Sequence, residues 1–308
     1  METDRASGAF RGGGEVRCRS HAKVNLHLDV LNRRRDGFHN IETVFQTVDL
    51  WDELSFAPAP SGGIILTCSD PGLPVDGRNL VVRAAELLNR ARGTRHGARI
   101  HLEKNIPVAA GLAGGSGNAA AALLALNRLW GLGLGQAELA ALALELGSDV
   151  PYCLTGGTAG ATRRGEEIFA LPPLAGWWFV LVHPPVAVSA RDAYQHPLLE
   201  RNTERPRAGR TRSFRSALRA LADGDVPGML FNRLEGPVFA MHPELARIKQ
   251  DLLDAGCDAA LMSGSGSTVF GLCGKREQAA EAGAALRRRT PSMGVNIAGA
   301  VGQGVVFL

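Results

Sequence analysis

The order of its predicted elements indicates that the chain has an α+β fold. Strands and helices are mixed without the regular strand–helix–strand rhythm of a doubly wound sheet. The 308 residues are enough for about two domains, and hydrophobic residues, at 45% of the chain, are sufficient for a sizeable core. We expect two lobes, at residues 15–171 and 172–308, with Pro172 and Pro173 at their boundary, and a loose tail at residues 1–14.

The spacing of apolar residues predicts the elements of the first half of the chain. A hairpin is expected first, because two stretches of alternating apolar and polar residues flank a turn at residues 33–37 that ends in Asp-Gly. The expected strands are at residues 24–31, 38–50, 53–56, 64–68 and 98–102. The expected helices are at residues 80–91, 119–130 and 136–146.

The second half shows the same two periodicities and one clear helix start. Ser148 is a good N-cap and Pro151 is tolerated in a first turn, so a short helix is expected to begin there and to end at the Gly-Gly pair at 156–157. A second small-residue loop lies at residues 263–267. The expected strands are at residues 158–162, 177–182, 258–262 and 268–273 and at the C-terminus. The expected helices are at residues 215–222, 244–255 and 277–288.

Composition argues against several classes of protein. A net charge of +4 is too modest to indicate nucleic-acid binding. The five cysteines form no Cys-x-x-Cys pair and their number is odd, which fits a reducing compartment and disfavours disulfides or a zinc site. No apolar run reaches membrane-spanning length, and the N-terminus lacks the apolar core of a signal peptide. We expect a cytoplasmic protein with no membrane or nucleic-acid partner and no dedicated metal site.

A glycine-rich stretch that leads into a helix is the most informative segment. Its four glycines leave the backbone free to bend and to approach a ligand closely. The first turn of the helix would favour an anion, most commonly phosphate. The alternative is a plain connector capped by Ser116 or Asn118, and the spacing matches neither a Walker A loop nor a Rossmann fingerprint. The stretch comprises Pro107, Val108, Ala109, Ala110, Gly111, Leu112, Ala113, Gly114, Gly115, Ser116 and Gly117.

A basic run lies between residues 201 and 219. Its simplest interpretation is a solvated loop that leads into a helix, and a functional one is a positive field that attracts anionic substrates. Nucleic-acid binding ranks third, because the chain has only two tyrosines to stack on bases. The run comprises Arg201, Arg205, Arg207, Arg210, Arg212, Arg215 and Arg219.

Five motifs, in order along the chain, resemble those of one enzyme family. The stretch from Pro107 to Ser116 resembles the ATP loop of the galactokinase, homoserine kinase, mevalonate kinase and phosphomevalonate kinase superfamily. Together the motifs resemble the 4-diphosphocytidyl-2-C-methyl-D-erythritol kinases within it, over nearly the whole chain from about Arg19 onwards. The other four are Ala22-Lys23-Val24-Asn25-Leu26, Asp36-Gly37-Phe38-His39, Gly147-Ser148-Asp149-Val150-Pro151 and Met262-Ser263-Gly264-Ser265-Gly266-Ser267.

This resemblance implies both a fold and an activity. The fold would be the two-lobed small-molecule kinase fold of the superfamily, with the active site in the cleft between the lobes. The activity would be ATP-dependent phosphorylation of the 2-hydroxyl of 4-diphosphocytidyl-2-C-methyl-D-erythritol, in the non-mevalonate isoprenoid pathway. ATP would be the co-substrate and Mg²⁺ its counter-ion. The protein would act on these small molecules as a monomer or a weak homodimer.

The resemblance also implies a catalytic pair. Asp149 would accept the proton of the attacking hydroxyl, and Lys23 beside it would stabilise charge on the hydroxyl and the phosphoryl group. Both residue types suit phosphoryl transfer, which depends on positioning and charge stabilisation. Without the resemblance, such an aspartate is more often a helix cap and such a lysine more often a surface residue.

Four further residues would bind the acceptor. Asn25 and His39 would hydrogen-bond to it, with His39 reading the edge of the cytosine. Phe38 would stack on the cytosine ring, where the family often has Tyr, and Tyr194 would close the other side. The glycine-rich stretch at 107–117 would hold the triphosphate.

Two positions depart from the family pattern. Ala113 stands where the family usually has Gly, and it is expected to be harmless provided that its φ is negative. Gly117 stands where a second Ser is common, which removes a possible phosphate or Mg²⁺ ligand and leaves Ser116 as the candidate. Two other functions stay open: a kinase for another small alcohol, such as homoserine, and a non-catalytic ligand-binding relative. The presence of both Lys23 and Asp149 argues against the second.

Overall fold

The computed structural model describes residues 14–60, 62–204, 206–207 and 209–308. Except for Gly14, the predicted tail lies outside the described residues, as does Arg205 of the basic run. The strands are β1 (Val16–Arg33), β2 (His39–Ala59), β3 (Ile64–Cys68), β4 (Gly97–Glu103), β5 (Thr158–Thr162), β6 (Glu167–Ala170), β7 (Trp178–His183), β8 (Phe231–Asn232), β9 (Ala259–Met262), β10 (Val269–Cys273), β11 (Gly294–Gly299) and β12 (Val305–Phe307). The helices are α1 (Leu80–Arg92), α2 (Gly114–Leu129), α3 (Gln136–Leu146), α4 (Val150–Thr155), α5 (Ala190–Gln195), α6 (Arg212–Ala222), α7 (Val226–Met229), α8 (Glu235–Met241), α9 (Pro243–Asp254) and α10 (Arg276–Arg289).

The first sheet is built on two long strands. β1 and β2 pair antiparallel across the predicted turn, which confirms the hairpin. The strand order is β12-β1-β2-β4-β3, with β5 paired to β2, β6 paired to β5, and β8 parallel to β1. The prediction of separate strands at 38–50 and 53–56 is wrong, because β2 is continuous. A bulge interrupts its alternation: His21 pairs with Trp51, whereas the next residue, Ala22, pairs with Val48.

The second sheet is smaller and antiparallel, with the order β11-β7-β10-β9. Its strands all come from the part of the chain after the Pro172-Pro173 pair. Two strands from that same part, β8 and β12, return to the first sheet and pair with β1. The two sheets therefore do not divide the chain cleanly at a single point.

The two sheets pack face to face, and each carries helices on its outer side. The side chains of β7 point alternately to its two faces and show this arrangement. Phe179 and Leu181 pack with Val24 of β1 in the hydrophobic cluster between the sheets. Val180 and Val182 point the other way, into the cluster beneath α9 and α10. Helices α1, α2 and α3 cover the outer face of the first sheet. The result is an α+β fold, as predicted, and among the described residues no helix is long and apolar enough to cross a membrane.

Helix α2 begins earlier than the sequence predicts. Its first residue is Gly114 and not residue 119, so four residues of the predicted loop form its first turn. Glycine is unfavourable inside helices, and the apolar pattern therefore becomes recognisable only after these residues. The N-cap is Ala113, and neither Ser116 nor Asn118 caps the helix.

Short elements account for most of the structure that was not predicted. β6, β8, α5, α7 and α8 contain between two and seven residues each. Segments of this length do not complete a periodic pattern and so give no clear signal. They contribute to the site nevertheless, because α5 carries Tyr194 and β8 carries Asn232.

Candidate active site

Two adjoining cavities lie where the elements that carry the motifs meet. The large cavity has a volume of about 720 Å³, and the loop cavity, lined by residues 107–116, has about 340 Å³. Gly111, Ala113 and Ser116 line both cavities. Of the residues predicted as catalytic, acceptor-binding or triphosphate-binding, only Gly117 lines neither cavity. Of the second small-residue loop, Gly264 and Ser265 line the large cavity, whereas Gly266 and Ser267 line neither. The predicted catalytic and acceptor-binding residues that line the large cavity are Lys23, Asn25, Phe38, His39, Asp149 and Tyr194.

Lys23 is a buried lysine in the interior of a strand. The strand expected to start at residue 24 begins at Val16, which places Lys23 in the middle of β1 with only 5% of its side chain exposed. Its ammonium donates to the Asn25 Oδ1 atom at 2.7 Å and to the Gly111 carbonyl oxygen at 3.2 Å. It also lies 3.5 Å from the Asp149 carboxylate. A buried ammonium needs such partners, and these three acceptors hold it at the cavity wall.

Asp149 is the residue immediately before α4, and it occupies the N-cap position. The prediction that Ser148 caps this helix is therefore wrong, and no side chain caps it. The Asp149 carboxylate faces Lys23 and keeps 35% of its surface exposed. The positive end of a helix favours a negative charge at this place. Because the carboxylate is not engaged as a cap, it is available to a ligand in the large cavity.

The backbone of the glycine-rich loop is left-handed at three positions. The φ angle is 54° at Ala109, 76° at Gly111 and 55° at Ala113. The condition that Ala113 has a negative φ is not met, so this alanine adopts a conformation that costs an L-residue energy and glycine little. The turn leads into α2, a helix of 16 residues whose first turn has no side-chain cap. Its N–H groups are available to an anion.

The glycine-rich loop touches the second small-residue loop, at 263–267. The Ser263 hydroxyl donates to the Gly111 carbonyl oxygen at 3.0 Å, and the Thr268 N–H donates to the Ala110 carbonyl oxygen at 3.1 Å. A β-carbon at position 111 would collide with the Ser263 carbonyl oxygen. Glycine is therefore required at position 111 by the close approach of two backbones as well as by its φ.

Asn232 holds the second loop in place, and sequence analysis did not single it out. Its buried Nδ2 group donates to the carbonyl oxygens of Met262 at 2.8 Å and Gly264 at 2.7 Å. Its Oδ1 atom accepts from the Leu234 N–H at 2.9 Å. All polar atoms of the amide thus have partners, as burial requires. No local pattern could reveal these contacts, because the loop is about thirty residues away in the chain.

A buried ion pair supports the glycine-rich loop from below and was also not predicted. The Lys104 ammonium contacts the Asp52 carboxylate, and both side chains are almost fully buried. Asp52 also accepts from the backbone N–H groups of Asn105 at 2.7 Å and Ile106 at 2.8 Å, and from the Asn118 side chain at 2.8 Å. Lys104 lines the loop cavity as well. These contacts fix the start of the loop and the first turns of α2.

Gly117 faces the interior of the protein. A β-carbon at this position would lie 2.6 Å from the Ser20 hydroxyl oxygen of β1. Because Ser20 already fills the space, a serine at position 117 would not fit without a shift. The departure from the family pattern therefore leaves no gap. Ser116, which lines both cavities, keeps its hydroxyl at their border.

The predicted aromatic residues Phe38 and Tyr194 both make ring contacts with other residues that line the large cavity. The Arg164 guanidinium lies 3.9 Å from the centre of the Phe38 ring, which is 51% exposed. The rings of His39 and Tyr194 stack with their centroids 5.4 Å apart and an angle of 27° between their planes. Tyr194 therefore stacks on His39 in this state of the protein, and part of the Phe38 ring remains open to a ligand.

The His39 imidazole is biased towards its neutral form. Burial, together with the positive charges of Arg201 and Arg33, lowers the pKa of His39 below its usual value of 6.5. A neutral imidazole offers one donor and one acceptor nitrogen, which suits contact with the edge of a base. Arg201 belongs to the basic run, so one end of that run acts on the large cavity.

Asn25 is engaged by protein groups on both sides of its amide. Its Oδ1 atom accepts from Lys23, and its Nδ2 atom donates to the Thr43 hydroxyl at 2.9 Å. The Thr43 hydroxyl in turn donates to the His27 carbonyl oxygen at 2.7 Å. This chain of contacts fixes the amide, which retains one N–H for a ligand.

The combined features suit phosphoryl transfer to a hydroxyl group. A glycine-rich loop before an uncapped helix N-terminus, a carboxylate and an ammonium meet near the border of two cavities, and this reaction depends on positioning and charge stabilisation. In the part of the chain that the structure describes, no group of three or more His, Cys, Asp or Glu side chains could hold a metal ion. Oxygen atoms for a cation would come from single side chains such as Ser116.

Comparison with known proteins finds relatives over most of the chain. The family models described as GHMP kinases N terminal domain and GHMP kinases C terminal match residues 79–157 and 199–292. A 4-diphosphocytidyl-2-C-methyl-D-erythritol kinase of Pelotomaculum thermopropionicum is 47% identical over 87% of this chain and 93% of its own. The enzyme of that name from Enterococcus faecalis is 46% identical over 86% of this chain and 92% of its own.

Solved structures agree with these sequence matches. A crystal structure of 4-(cytidine 5'-diphospho)-2C-methyl-D-erythritol kinase has a TM-score of 0.73 and 37% identity, covering 92% of this chain and 99% of its own. A homoserine kinase from Cytophaga hutchinsonii has a TM-score of 0.75, covering 97% of this chain and 99% of its own. At 22% identity, that second likeness extends to the fold only.

Proposed function

The chain belongs to the family of 4-diphosphocytidyl-2-C-methyl-D-erythritol kinases and is an ATP-dependent kinase, and on that premise we propose its acceptor. It phosphorylates the 2-hydroxyl of 4-diphosphocytidyl-2-C-methyl-D-erythritol, giving the 2-phosphate, in the non-mevalonate isoprenoid pathway. The observation that supports this most strongly is the meeting of Lys23 and Asp149 at 3.5 Å beside the glycine-rich loop.

We propose that Asp149 and Lys23 perform the transfer. As the hydroxyl oxygen attacks the γ-phosphorus of ATP, Asp149 accepts its proton and the bond to the ADP oxygen breaks. A carboxylate is a weak base, so the proton moves late in the reaction. The Lys23 charge stabilises the hydroxyl oxygen and the transferring phosphoryl group. Its contacts with Asn25 and Gly111 support this role, because they hold the ammonium in one position.

The acceptor would occupy the large cavity. Phe38 and Tyr194 supply aromatic faces for the cytosine, and the neutral His39 supplies a hydrogen bond to its edge. The remaining N–H of Asn25 would donate a hydrogen bond to the sugar alcohol near the catalytic pair. These roles are supported by the shared lining of one cavity.

ATP is the co-substrate, and we propose that its triphosphate lies over residues 107–117. The uncapped first turn of α2 supports this position. Gly117 itself would not touch the phosphates, because its N–H donates to the Ala113 carbonyl oxygen at 2.8 Å. Mg²⁺ would accompany the phosphates, since this ion keeps most of its waters and takes only one or two protein ligands. The Ser116 hydroxyl at the border of the cavities fits that requirement. Bound there, the ion would neutralise phosphate charge.

The proposal extends to the roles of the two lobes, to the location and oligomeric state of the protein, and to its partners. Residues 15–171 would hold ATP and the catalytic pair, while residues 172–308 would complete the acceptor wall, with β8 and β12 returning to the first sheet. The protein would work in the cytoplasm as a monomer or weak homodimer. Nucleic acids would not be partners, and the basic run would serve to attract two anionic substrates.

Turnover of the acceptor by Asp149 variants tests this function. With purified protein, ATP and 4-diphosphocytidyl-2-C-methyl-D-erythritol, we expect Asp149→Asn to lower kcat by about 100- to 10,000-fold, because general-base catalysis contributes that much. Asp254→Asn, which changes an exposed aspartate on α9, serves as the control and should leave kcat unchanged. Wild-type protein without turnover, or Asp149→Asn with full turnover, would contradict the proposal.

A second measurement separates this acceptor from other small alcohols. Cytidine nucleotides should compete with the acceptor if the aromatic residues bind cytosine. A homoserine kinase would show no such competition and would phosphorylate homoserine instead. The two outcomes can be distinguished in one steady-state assay.

A further inference from the structure

Arg164 stands out among the arginines that line the large cavity because it is partly buried and yet leaves most of its hydrogen-bonding capacity unused, whereas Arg33 and Arg191 are exposed to solvent. It lies in the turn between β5 and β6 and lines the large cavity. Its Nη2 atom donates only weakly, to the Ser148 hydroxyl at 3.4 Å, and its buried Nε atom has no hydrogen-bond partner. Within the described ranges, no carboxylate lies within 4.0 Å of its guanidinium nitrogens. An arginine has five N–H donors and normally finds acceptors for them when it is partly buried.

Arg164 also touches both functional ends of the large cavity. Its guanidinium covers one face of the Phe38 ring at 3.9 Å, and its Nη2 atom reaches Ser148, the neighbour of Asp149. The turn that carries Arg164 is anchored to the first sheet, because the Ile41 N–H donates to the Arg163 carbonyl oxygen. The side chain therefore spans the distance between the proposed base-binding end and the phosphoryl-transfer end.

We infer that Arg164 binds the diphosphate group of the acceptor, an inference that rests on the proposed function. In a cytidine diphosphate ester of a sugar alcohol, the diphosphate connects the base to the reacting hydroxyl. A molecule with its base on Phe38 and its hydroxyl at Asp149 must therefore carry its two phosphates past Arg164. The planar guanidinium is suited to phosphate oxygens, which it can bind with two parallel hydrogen bonds.

Phosphate oxygens in this site could belong to the acceptor or to ATP. The position of Arg164 favours the acceptor, because it lines the large cavity and not the loop cavity. The loop cavity has cationic side chains of its own in Arg78 and Lys104. The neighbouring Arg163 differs in both respects, since it pairs with Glu167 at 2.7 Å and lines neither cavity.

Binding of two probes by four proteins tests the inference. The probes are cytidine and CDP-glycerol, a diphosphate diester of a small polyol, and calorimetry gives their dissociation constants. The proteins are the wild type, Arg164→Met, Arg164→Lys and the control Arg163→Met. We expect Arg164→Met to weaken CDP-glycerol by about 10- to 100-fold, which is the usual loss for a hydrogen bond to a charged group. Cytidine should change far less, and Arg163→Met should match the wild type for both probes.

Arg164→Lys keeps the charge and loses the planar fork, so its loss should be intermediate. It also keeps the test valid if Arg164→Met does not fold, which melting temperatures will show. Steady-state kinetics with the natural acceptor form a second arm, in which the KM for the acceptor should rise and the KM for ATP should stay constant. A binding role would change the KM for the acceptor in both Arg164 variants without lowering their melting temperatures. A structural role would lower the melting temperatures.

Three results would overturn the inference. The first is an equal loss of affinity for cytidine and CDP-glycerol, which would mean that Arg164 only supports Phe38. The second is a rise confined to the KM for ATP. The third is no difference between the Arg164 and Arg163 variants. If the wild type binds neither probe and does not turn over the acceptor, the proposed function fails and the inference fails with it. If the wild type binds both probes and only the Arg164 effect is missing, the inference fails alone.

Discussion

The walls of the loop cavity and the large cavity are built in different ways. The loop cavity is made largely of backbone, in a stretch where small residues allow left-handed turns and close contact with a second loop. The large cavity is lined mainly by side chains that come from β1, the β1–β2 turn, β2, the two residues before α4, the β5–β6 turn and α5. The wall of the loop cavity has no space for a larger side chain, whereas the shape of the large cavity depends on side chains that a substitution can shorten.

This difference predicts opposite sensitivities. Adding one carbon to the loop should affect both folding and nucleotide binding, because the two loops and β1 are in contact there. Removing an exposed side chain from the large cavity should affect acceptor binding and leave stability nearly unchanged. The predictions below test this contrast in order of decreasing effect.

Gly111→Ala should have the largest effect. The new β-carbon would collide with the Ser263 carbonyl oxygen at a φ of 76°, so we expect a loss of at least about 3 kcal/mol in the free energy of unfolding, and weaker ATP binding. Gly131→Ala is a matched control, because its φ is 62° and nothing lies within 4 Å. It should cost about 1 kcal/mol. Equal losses in urea denaturation would show that the contact between the loops is unimportant.

Gly117→Ser should come next. Its β-carbon would lie 2.6 Å from the Ser20 hydroxyl, and overpacking of this kind costs about 2 kcal/mol. Adding Ser20→Ala should recover most of that loss, because it removes the colliding oxygen. A thermal-unfolding double-mutant cycle measures the coupling. Additive effects of the two substitutions would mean that Ser20 is not the reason for glycine at position 117.

The start of α2 shows how much of the wall of the loop cavity could be predicted. The spacing of small residues correctly indicated a flexible loop before a helix, and its binding of an anion stays a prediction. The first residue of the helix, the cap and the φ of Ala113 could not be predicted, because they depend on how the loop packs against Lys104, Ser263 and Ser20. By contrast, β3, α3 and β5 have the predicted bounds.

The wall of the large cavity was less accessible to prediction from residues alone. Lys23, Phe38, His39 and Asp149 were predicted as site residues through the resemblance of their motifs, since each is ordinary in its own local pattern. Arg164 and Asn232 carry no such pattern, and their importance follows from contacts between segments that are distant in the chain. The spacing of residues predicts which side chains share a face of one helix or strand. It does not predict contacts between several elements, and this wall is built from several elements.

Phe38→Ala should change binding without changing stability. The ring is 51% exposed, so its removal creates no cavity in the core, but the cytosine loses a stacking partner. We expect the KM for the acceptor to rise about tenfold, with the KM for ATP constant, because a base–aromatic stack contributes about 1–3 kcal/mol. Phe38→Tyr is the matched control and should keep the wild-type KM. A large drop in melting temperature for Phe38→Ala would contradict the contrast between the two walls.

Ala113→Gly should have the smallest effect, and it should be favourable. Glycine relieves the left-handed strain at a φ of 55°, although it also adds conformational freedom to the unfolded chain. We expect a gain of up to about 1 kcal/mol in the free energy of unfolding and no loss of kcat. A clear loss of stability in urea denaturation would be inconsistent with strain at this position.

A crystal structure with a non-hydrolysable ATP analogue and 4-diphosphocytidyl-2-C-methyl-D-erythritol tests the central claim most directly. We predict that the triphosphate lies against the N–H groups of residues 113–116, and that the 2-hydroxyl lies within hydrogen-bonding distance of the Asp149 carboxylate. Lys23 should lie close to both the hydroxyl and the γ-phosphate. A triphosphate bound away from the loop, or a hydroxyl remote from Asp149, would contradict the account.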